Sequence, residues 1–387
     1  MTYRPGRHLL QLPGPSNVPD RILRAMHRNT IDHRGPEFQA LARRVLDGMK
    51  RVFRTEGRVF IYPSSATGAW EAAMTNTLSP GDRVLFFDRG FFAEAWSRVA
   101  ARLGLEVVKV PGDWRTGVSA ADLRAALRAD PERRIRAVMV VHNETSTGVT
   151  TELPALRAVL DELAHPALFL VDAVSSLAAT EYRHDEWGVD VCISGSQKAL
   201  MLPPGLAFAA VGPRALERSA QATLARSYWS WSEQIRFNDD GYFPYTPATG
   251  LLFGLDEALR MLEAEGLETV FSRHARFAAA TRSAVAAWGL ETYSTRPSEH
   301  SNAATTVRVP EGHSGDALRR VILERWDMSL GSGLGPLADQ VFRIGHLGDF
   351  NDLMLMGTLS GVEMGLRAAG VPHRSGGAQA ALEHLSA

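Results

Sequence analysis

The run Ser194-Gly195-Ser196-Gln197-Lys198-Ala199-Leu200 holds a lysine in a setting that suits chemistry better than solvation. A short apolar stretch, Val189 to Ile193, leads into a turn of small residues that delivers Lys198, and Pro203-Pro204-Gly205 follows. An amine presented from a strand end in this way is placed as a nucleophile for an aldehyde, with a Schiff base as the product. Asp172 closes another apolar stretch, Ala167 to Val171, and leads into Ala173-Val174-Ser175-Ser176. Alone it reads equally as a helix N-cap or as an acid facing a site, because ligands of open α/β sheets sit at the carboxyl ends of strands. The spacing from Asp172 to Lys198 accommodates one helix and one strand, which brings both residues to the same sheet edge.

A carboxylate that keeps a pyridine nitrogen protonated and a lysine that holds an aldehyde form the pair that pyridoxal phosphate chemistry requires. Ser64-Ser65-Ala66-Thr67-Gly68 follows a strand and opens a helix with small residues; exposed N–H groups and the helix dipole make such a turn a phosphate seat. The signal is weak alone, since many helices begin with Ser or Thr, and gains weight beside Asp172 and Lys198. Asn143-Glu144-Thr145-Ser146-Thr147-Gly148 follows the strand Ala137–Val141 and offers hydroxyls to a cofactor oxygen. Phe91-Phe92, after Arg89-Gly90, supplies aromatic rings for stacking or for core packing. Arg343, in Phe342-Arg343-Ile344-Gly345-His346, reads as a salt-bridged arginine or a bidentate carboxylate clamp. Gly331-Ser332-Gly333-Leu334-Gly335 is not a dinucleotide fingerprint, and the histidines lack metal-ligand spacing.

These residues need a scaffold, and the apolar runs describe one. Strands are expected at Val59–Tyr62, Val84–Phe87, Glu106–Val110, Ala137–Val141, Leu168–Val171, Val189–Ile193 and Leu206–Val211, mostly continuous apolar runs that suit burial on both faces. Helical patterns lie between them at Thr67–Leu78, Phe92–Leu103, Ala120–Ala129 and Leu153–Leu163. This alternation predicts an α/β domain with a mostly parallel seven-stranded sheet flanked by helices. After Gly254 the pattern changes to helices at Leu255–Glu265 and Val270–Trp288, a strand at Thr305–Val309, a helix at Ser314–Arg325, a strand ending near Gly345 and a helix at Asn351–Ala368. The expected division is an N-terminal arm over 1–20, extended because it holds four prolines, a large domain over 21–265 and a smaller α+β domain over 266–387. The tail from Ser375 is weakly patterned and is expected to fray.

Composition narrows the function classes. The 387 residues carry 42 basic and 43 acidic side chains, so no charge excess points to nucleic acid or to an anionic membrane. No apolar run approaches the roughly 18 residues that span a bilayer. The single cysteine, Cys192, excludes an intrachain disulfide and, with no leader-like segment, suits a cytoplasmic protein.

With these residues in view, the chain resembles the class V aminotransferases of fold type I, nearest their serine–glyoxylate and alanine–glyoxylate branch. The resemblance runs from about Leu12 to about Ala369 and rests on Pro13-Gly14-Pro15-Ser16-Asn17, Asp32-His33-Arg34, Asn143 to Gly148, Val171-Asp172, Ser194 to Leu200, Pro244-Tyr245-Thr246-Pro247 and Arg343-Ile344-Gly345. It implies a pyridoxal 5'-phosphate transaminase in which Lys198 holds the cofactor aldehyde and Asp172 pairs with the pyridine nitrogen. Thr145 then bonds the phenolic oxygen, and Phe92 stacks on the ring where some relatives use Trp. Ser65, Ala66, Thr67 and Gln197 hold the phosphate, Thr246 reaches the phosphate of a neighbouring subunit, and Arg343 grips the substrate carboxylate. The implied reaction moves an amino group from serine, or else alanine or aspartate, to glyoxylate in a ping-pong cycle; pyridoxamine–pyruvate transamination is the alternative on the same scaffold. The implied assembly is a homodimer, alone or paired into a tetramer, with the N-terminal arm on the partner. Phe243 stands where some relatives have a phosphate-binding Tyr. Cys192 lies in a strand rather than in the later loop that cysteine desulfuration requires, which disfavours that activity.

Overall fold

The computed structural model describes residues 6–386. Its centre is a seven-stranded sheet whose spatial order is Arg58–Tyr62, Ala207–Val211, Val191–Gly195, Leu168–Asp172, Ile135–Val141, Arg83–Phe87 and Glu106–Val110. All neighbouring pairs are parallel except those of Ala207–Val211, which runs antiparallel to both its neighbours. The expected strands are therefore all present, in the mostly parallel arrangement read from the sequence. Val191–Gly195 and Ala207–Val211 are buried along their whole length, which explains why they read as unbroken apolar runs.

Helices cover both faces of this sheet. One face packs against Pro36–Phe53, Leu153–Glu162 and Thr249–Glu265. The other packs against Ala66–Thr77 and Phe91–Arg102. A separate core lies in the C-terminal part, where a five-stranded sheet is covered by Leu267–Trp288, Gly315–Trp326 and Asp352–Ala368.

Three features differ from the sequence reading. Leu9–Gln11, within the expected arm, forms a parallel edge strand on Met328–Ser332 of its own chain's small sheet, with Leu9 opposite Met328. Met1 to Pro5 lie outside the described residues. The strand Met328–Ser332 itself went unread, because Met-Ser-Leu-Gly-Ser carries little β propensity. The tail does not fray at Ser375: Gly377–Ser386 is a helix that buries Ala381 against the C-terminal core. Glu363 anchors its start by accepting from the N–H groups of Gly376 (2.8 Å) and Ala378 (3.0 Å).

Candidate active site

The carboxyl ends of the large sheet open into a cavity of about 300 Å³. Ser65, Ala66 and Thr67 line it from the start of one helix, Phe92 from the start of another, Asp172 from a strand end, and Gln197 and Lys198 from the turn after Val191–Gly195. Seven of the ten residues singled out from the sequence thus face one space.

Lys198 is almost fully buried, at 9% exposure. Its Nζ donates to the carbonyl of Pro13. The segment that brings Pro13 there is tied to the lysine turn: Ser16 N–H donates to Gln197 O (3.0 Å) and Ser16 Oγ to Lys198 O (2.8 Å). Gly14 makes the approach feasible. Its φ of +103° lies in the left-handed region, and a Cβ there would overlap the lysine side chain. Burial lowers the Lys198 pKa to about 8, helped by the Arg343 charge and opposed by Asp172 and Glu144.

Asp172 is held from two sides. Its Oδ1 accepts from Val174 N–H (2.8 Å), a local turn contact in place of a helix cap, and its Oδ2 accepts from Trp70 Nε1 (2.7 Å). Burial raises its carboxyl to about 6, while these two donors pull it back.

Glu144 organises the opposite wall. The helix Phe91–Arg102 begins at Gly90, which has no side chain to cap it. Glu144 Oε2 accepts instead from Phe92 N–H (2.9 Å) and Ala93 N–H (3.3 Å), and its Oε1 from Ser146 N–H (3.0 Å) and Oγ (2.6 Å). A buried carboxylate with this many donors fixes the position of Phe92. The neighbouring Thr145 is buried, and its carbonyl accepts from Arg343 Nη1 (2.9 Å). Arg343 also donates Nε to Ser332 O (2.7 Å) and makes no ion pair among the described residues, so the salt-bridged reading of this residue finds no partner. Burial lowers its pKa to about 10.

Thr145 and Arg343 adjoin the cavity without lining it. Thr246 is elsewhere, in a small recess with Tyr228, Phe243 and Tyr245. Sequence reasoning missed Trp70, Glu144 and the Pro13–Ser16 contacts. Trp70 stands one turn into the phosphate-seat helix, a position that signals its reach toward the same strand ends.

The residues present fit pyridoxal phosphate. Ser65 is the N-cap of Ala66–Thr77 yet makes no side-chain cap bond, so the first-turn N–H groups face the cavity without that competitor. Gln197 lines the same cavity and carries an amide NH2 able to donate to a phosphate oxygen. An uncapped helix start, a buried lysine and a buried acid around one cavity of an open α/β sheet define a pyridoxal phosphate enzyme of fold type I. The model of the class-V aminotransferases matches residues 13–334, and this chain belongs to that family. It is 46% identical to the serine–glyoxylate aminotransferase of Methylorubrum extorquens, over 98% of this chain and 96% of the relative. It is 44% identical to the L-aspartate–glyoxylate aminotransferase of Paracoccus denitrificans, over 96% and 95%. The crystal structure of pyridoxamine–pyruvate aminotransferase from Mesorhizobium loti superimposes with a TM-score of 0.92 at 28% identity, covering 100% of this chain and 99% of that one. The chain is a pyridoxal phosphate-dependent transaminase.

Proposed function

We propose that this enzyme moves the amino group of a small L-amino acid, serine foremost, to glyoxylate, yielding glycine and a 2-oxo acid, which is hydroxypyruvate when serine is the donor. One observation carries the reading: Lys198, Asp172 and the uncapped Ala66–Thr77 helix meet around a single cavity, in a chain 46% identical to a serine–glyoxylate aminotransferase.

Pyridoxal phosphate, when bound, supplies an aldehyde that captures the amino group and a ring that draws off the electron pair left at the substrate Cα. Asp172, steadied by Trp70 and Val174, holds a proton on the ring nitrogen. Ser65, Ala66 and Thr67 take the phosphate on first-turn N–H groups and hydroxyls, with the Gln197 amide beside them. Phe92 stacks on the ring and Thr145 bonds its phenolic oxygen. Lys198 would hold the aldehyde, and its free Nζ would serve as the base and acid that moves the substrate Cα proton. A base needs a neutral amine near working pH, and a pKa of about 8 provides a usable fraction. Arg343 is clamped by its bonds to Ser332 and Thr145, which fixes the guanidinium plane and leaves Nη2 for the substrate α-carboxylate.

The working unit in this reading is a cytoplasmic homodimer with two bodies per subunit, 21–265 and 266–387. Thr246 of each subunit completes the partner's phosphate seat. Its place in a recess other than its own subunit's cavity supports that role, as do the stacked, partly exposed Tyr228 and Tyr245 beside it (ring centroids 4.6 Å apart). Alanine or aspartate as donor and pyridoxamine–pyruvate transfer are the competing readings, each supported by a relative.

Amino-donor profiling against glyoxylate tests the proposal. Serine should give glycine and hydroxypyruvate in equal amounts and at the highest kcat/KM. Faster turnover with aspartate would move the donor assignment, and pyridoxal made from pyridoxamine and pyruvate, with no glycine from any donor, would overturn it.

A further inference from the structure

The geometry points to a second ligand site, a pocket for one monatomic anion of the halide class, between the Thr147–Gly148 turn and the small-domain sheet. The pocket is lined by Arg282, Ser294, Thr306 and His300, among others, with Gly148 beside Thr306. It is unrelated to the cofactor cavity and shares no lining residue with it.

The charge balance calls for an anion. Arg282 projects from the helix Leu267–Trp288, makes one hydrogen bond, to Ser301 O (3.3 Å), and has no carboxylate partner among the described residues. A half-buried guanidinium without a counter-charge is costly. Two further groups wait for the same ligand. Ser294 Oγ and Thr306 Oγ1 are buried, on residues 4% and 2% exposed, and neither has a hydrogen-bond partner. Such orphans call for an occupant. A water would satisfy the hydroxyls but leave the Arg282 charge unopposed; an anion accepts from the hydroxyls and the guanidinium together. Size sets the class. The pocket leaves about 10 Å³ for the centre of a water-sized sphere, close to the least that one water requires and far too little for phosphate or a carboxylic acid.

The position gives the anion something to do. Ser301 N–H donates to Gly148 O (3.0 Å), so this seam already joins the turn after Glu144 and Thr145 to the small domain. Thr306 pairs in register with Arg343. An anion between Arg282 and Thr306 would pin the small sheet to that turn and stiffen the joint on which Arg343 is held.

Crystals of the holoenzyme soaked in sodium bromide should show an anomalous peak between Arg282, Ser294 and Thr306. The holoenzyme's Tm should also rise saturably, by roughly 2–4 °C, in chloride relative to gluconate at equal ionic strength. Arg282→Met should abolish both effects. The double variant Ser294→Ala/Thr306→Val, milder for folding, should weaken the chloride response while leaving the cofactor spectrum unchanged. A water with no anomalous signal at the pocket, or a chloride response identical in wild type and double variant, would overturn the assignment.

Discussion

At the residue scale, the site is assembled by burying groups that prefer water and then limiting the cost with a few hydrogen bonds. Lys198 shows this most clearly. In the fold its pKa is about 8, against 10.5 for an ordinary lysine. Below pH 8 the buried amine is protonated in both folded and unfolded chains and costs stability; between 8 and 10.5 only the unfolded chain holds the proton, so stability recovers as pH rises. Lys198→Met should therefore make the cofactor-free protein more stable at pH 7, by about 1–3 kcal/mol, while ending transamination. The gain should shrink between pH 8 and 10.5, as thermal melts across that range would record. Trp70 sets the Asp172 balance from the other side. Trp70→Phe removes a hydrogen bond to a charged group, worth about 1.5–3 kcal/mol, and should push Asp172 above its value of about 6. Cofactor affinity at pH 7 should drop roughly tenfold or more, with the loss smaller at pH 8.5; an affinity unchanged at both pH values would remove Trp70 from the site. Asp172 and Lys198 were legible in the sequence because each ends an apolar strand. Trp70 and Glu144 were not, because a tryptophan within a helix and a glutamate in a hydroxyl-rich run each have ordinary structural uses, and only the fold shows what they touch.

Elements position these residues, and here the sequence was readable wherever one face pattern dominated. All seven strands of the large sheet were legible, most of them as apolar runs, with the charged Glu106–Val110 the exception. The helix Pro36–Phe53 was not among those read, although Phe38, Leu41, Ala42, Val45, Met49 and Val52 stand at helical spacing and are all buried. Leu9–Gln11 could not be read, since three residues among prolines show no periodicity and their partner lies far along the chain. That short strand matters because it aims Pro13 and Gly14 at Lys198. Gly14→Ala demands an unfavourable φ and places a methyl group on the lysine side chain. The variant should fold, since the atoms it would meet belong to the flexible outer part of the Lys198 side chain, which can move aside. Its rate of cofactor capture, followed by the growth of the visible band in apoenzyme mixed with pyridoxal phosphate, should fall at least tenfold. A wild-type rate would mean that the arm does not constrain the amine.

At the scale of the whole molecule, the C-terminal helix closes the C-terminal core over Trp288, whose Nε1 donates to Glu363 (2.9 Å). Ending the chain after Gly376 removes that cover and should cost on the order of 2–4 kcal/mol of apolar burial, read as a lower Tm and a solvent-shifted tryptophan emission. Cofactor binding should persist, because no cavity-lining residue lies beyond Pro204. Loss of cofactor together with the Tm change would show that the two cores do not fold independently.

Chain order gives the Leu9–Gln11 strand a consequence for biosynthesis. Its partner, Met328–Ser332, lies more than three hundred residues downstream. At about 5–20 residues per second, the ribosome completes that partner on the order of 20–60 seconds after the first strand emerges. In the later part of this interval, once Ala207–Val211 has been made, the large sheet has its strands, yet Leu9 and Leu10 still have no edge to join and Lys198 lacks its Pro13 contact. The nascent protein thus acquires its cofactor pocket in outline early and its finished lysine late, which leaves the beginning of the chain as the stretch most in need of a holding chaperone.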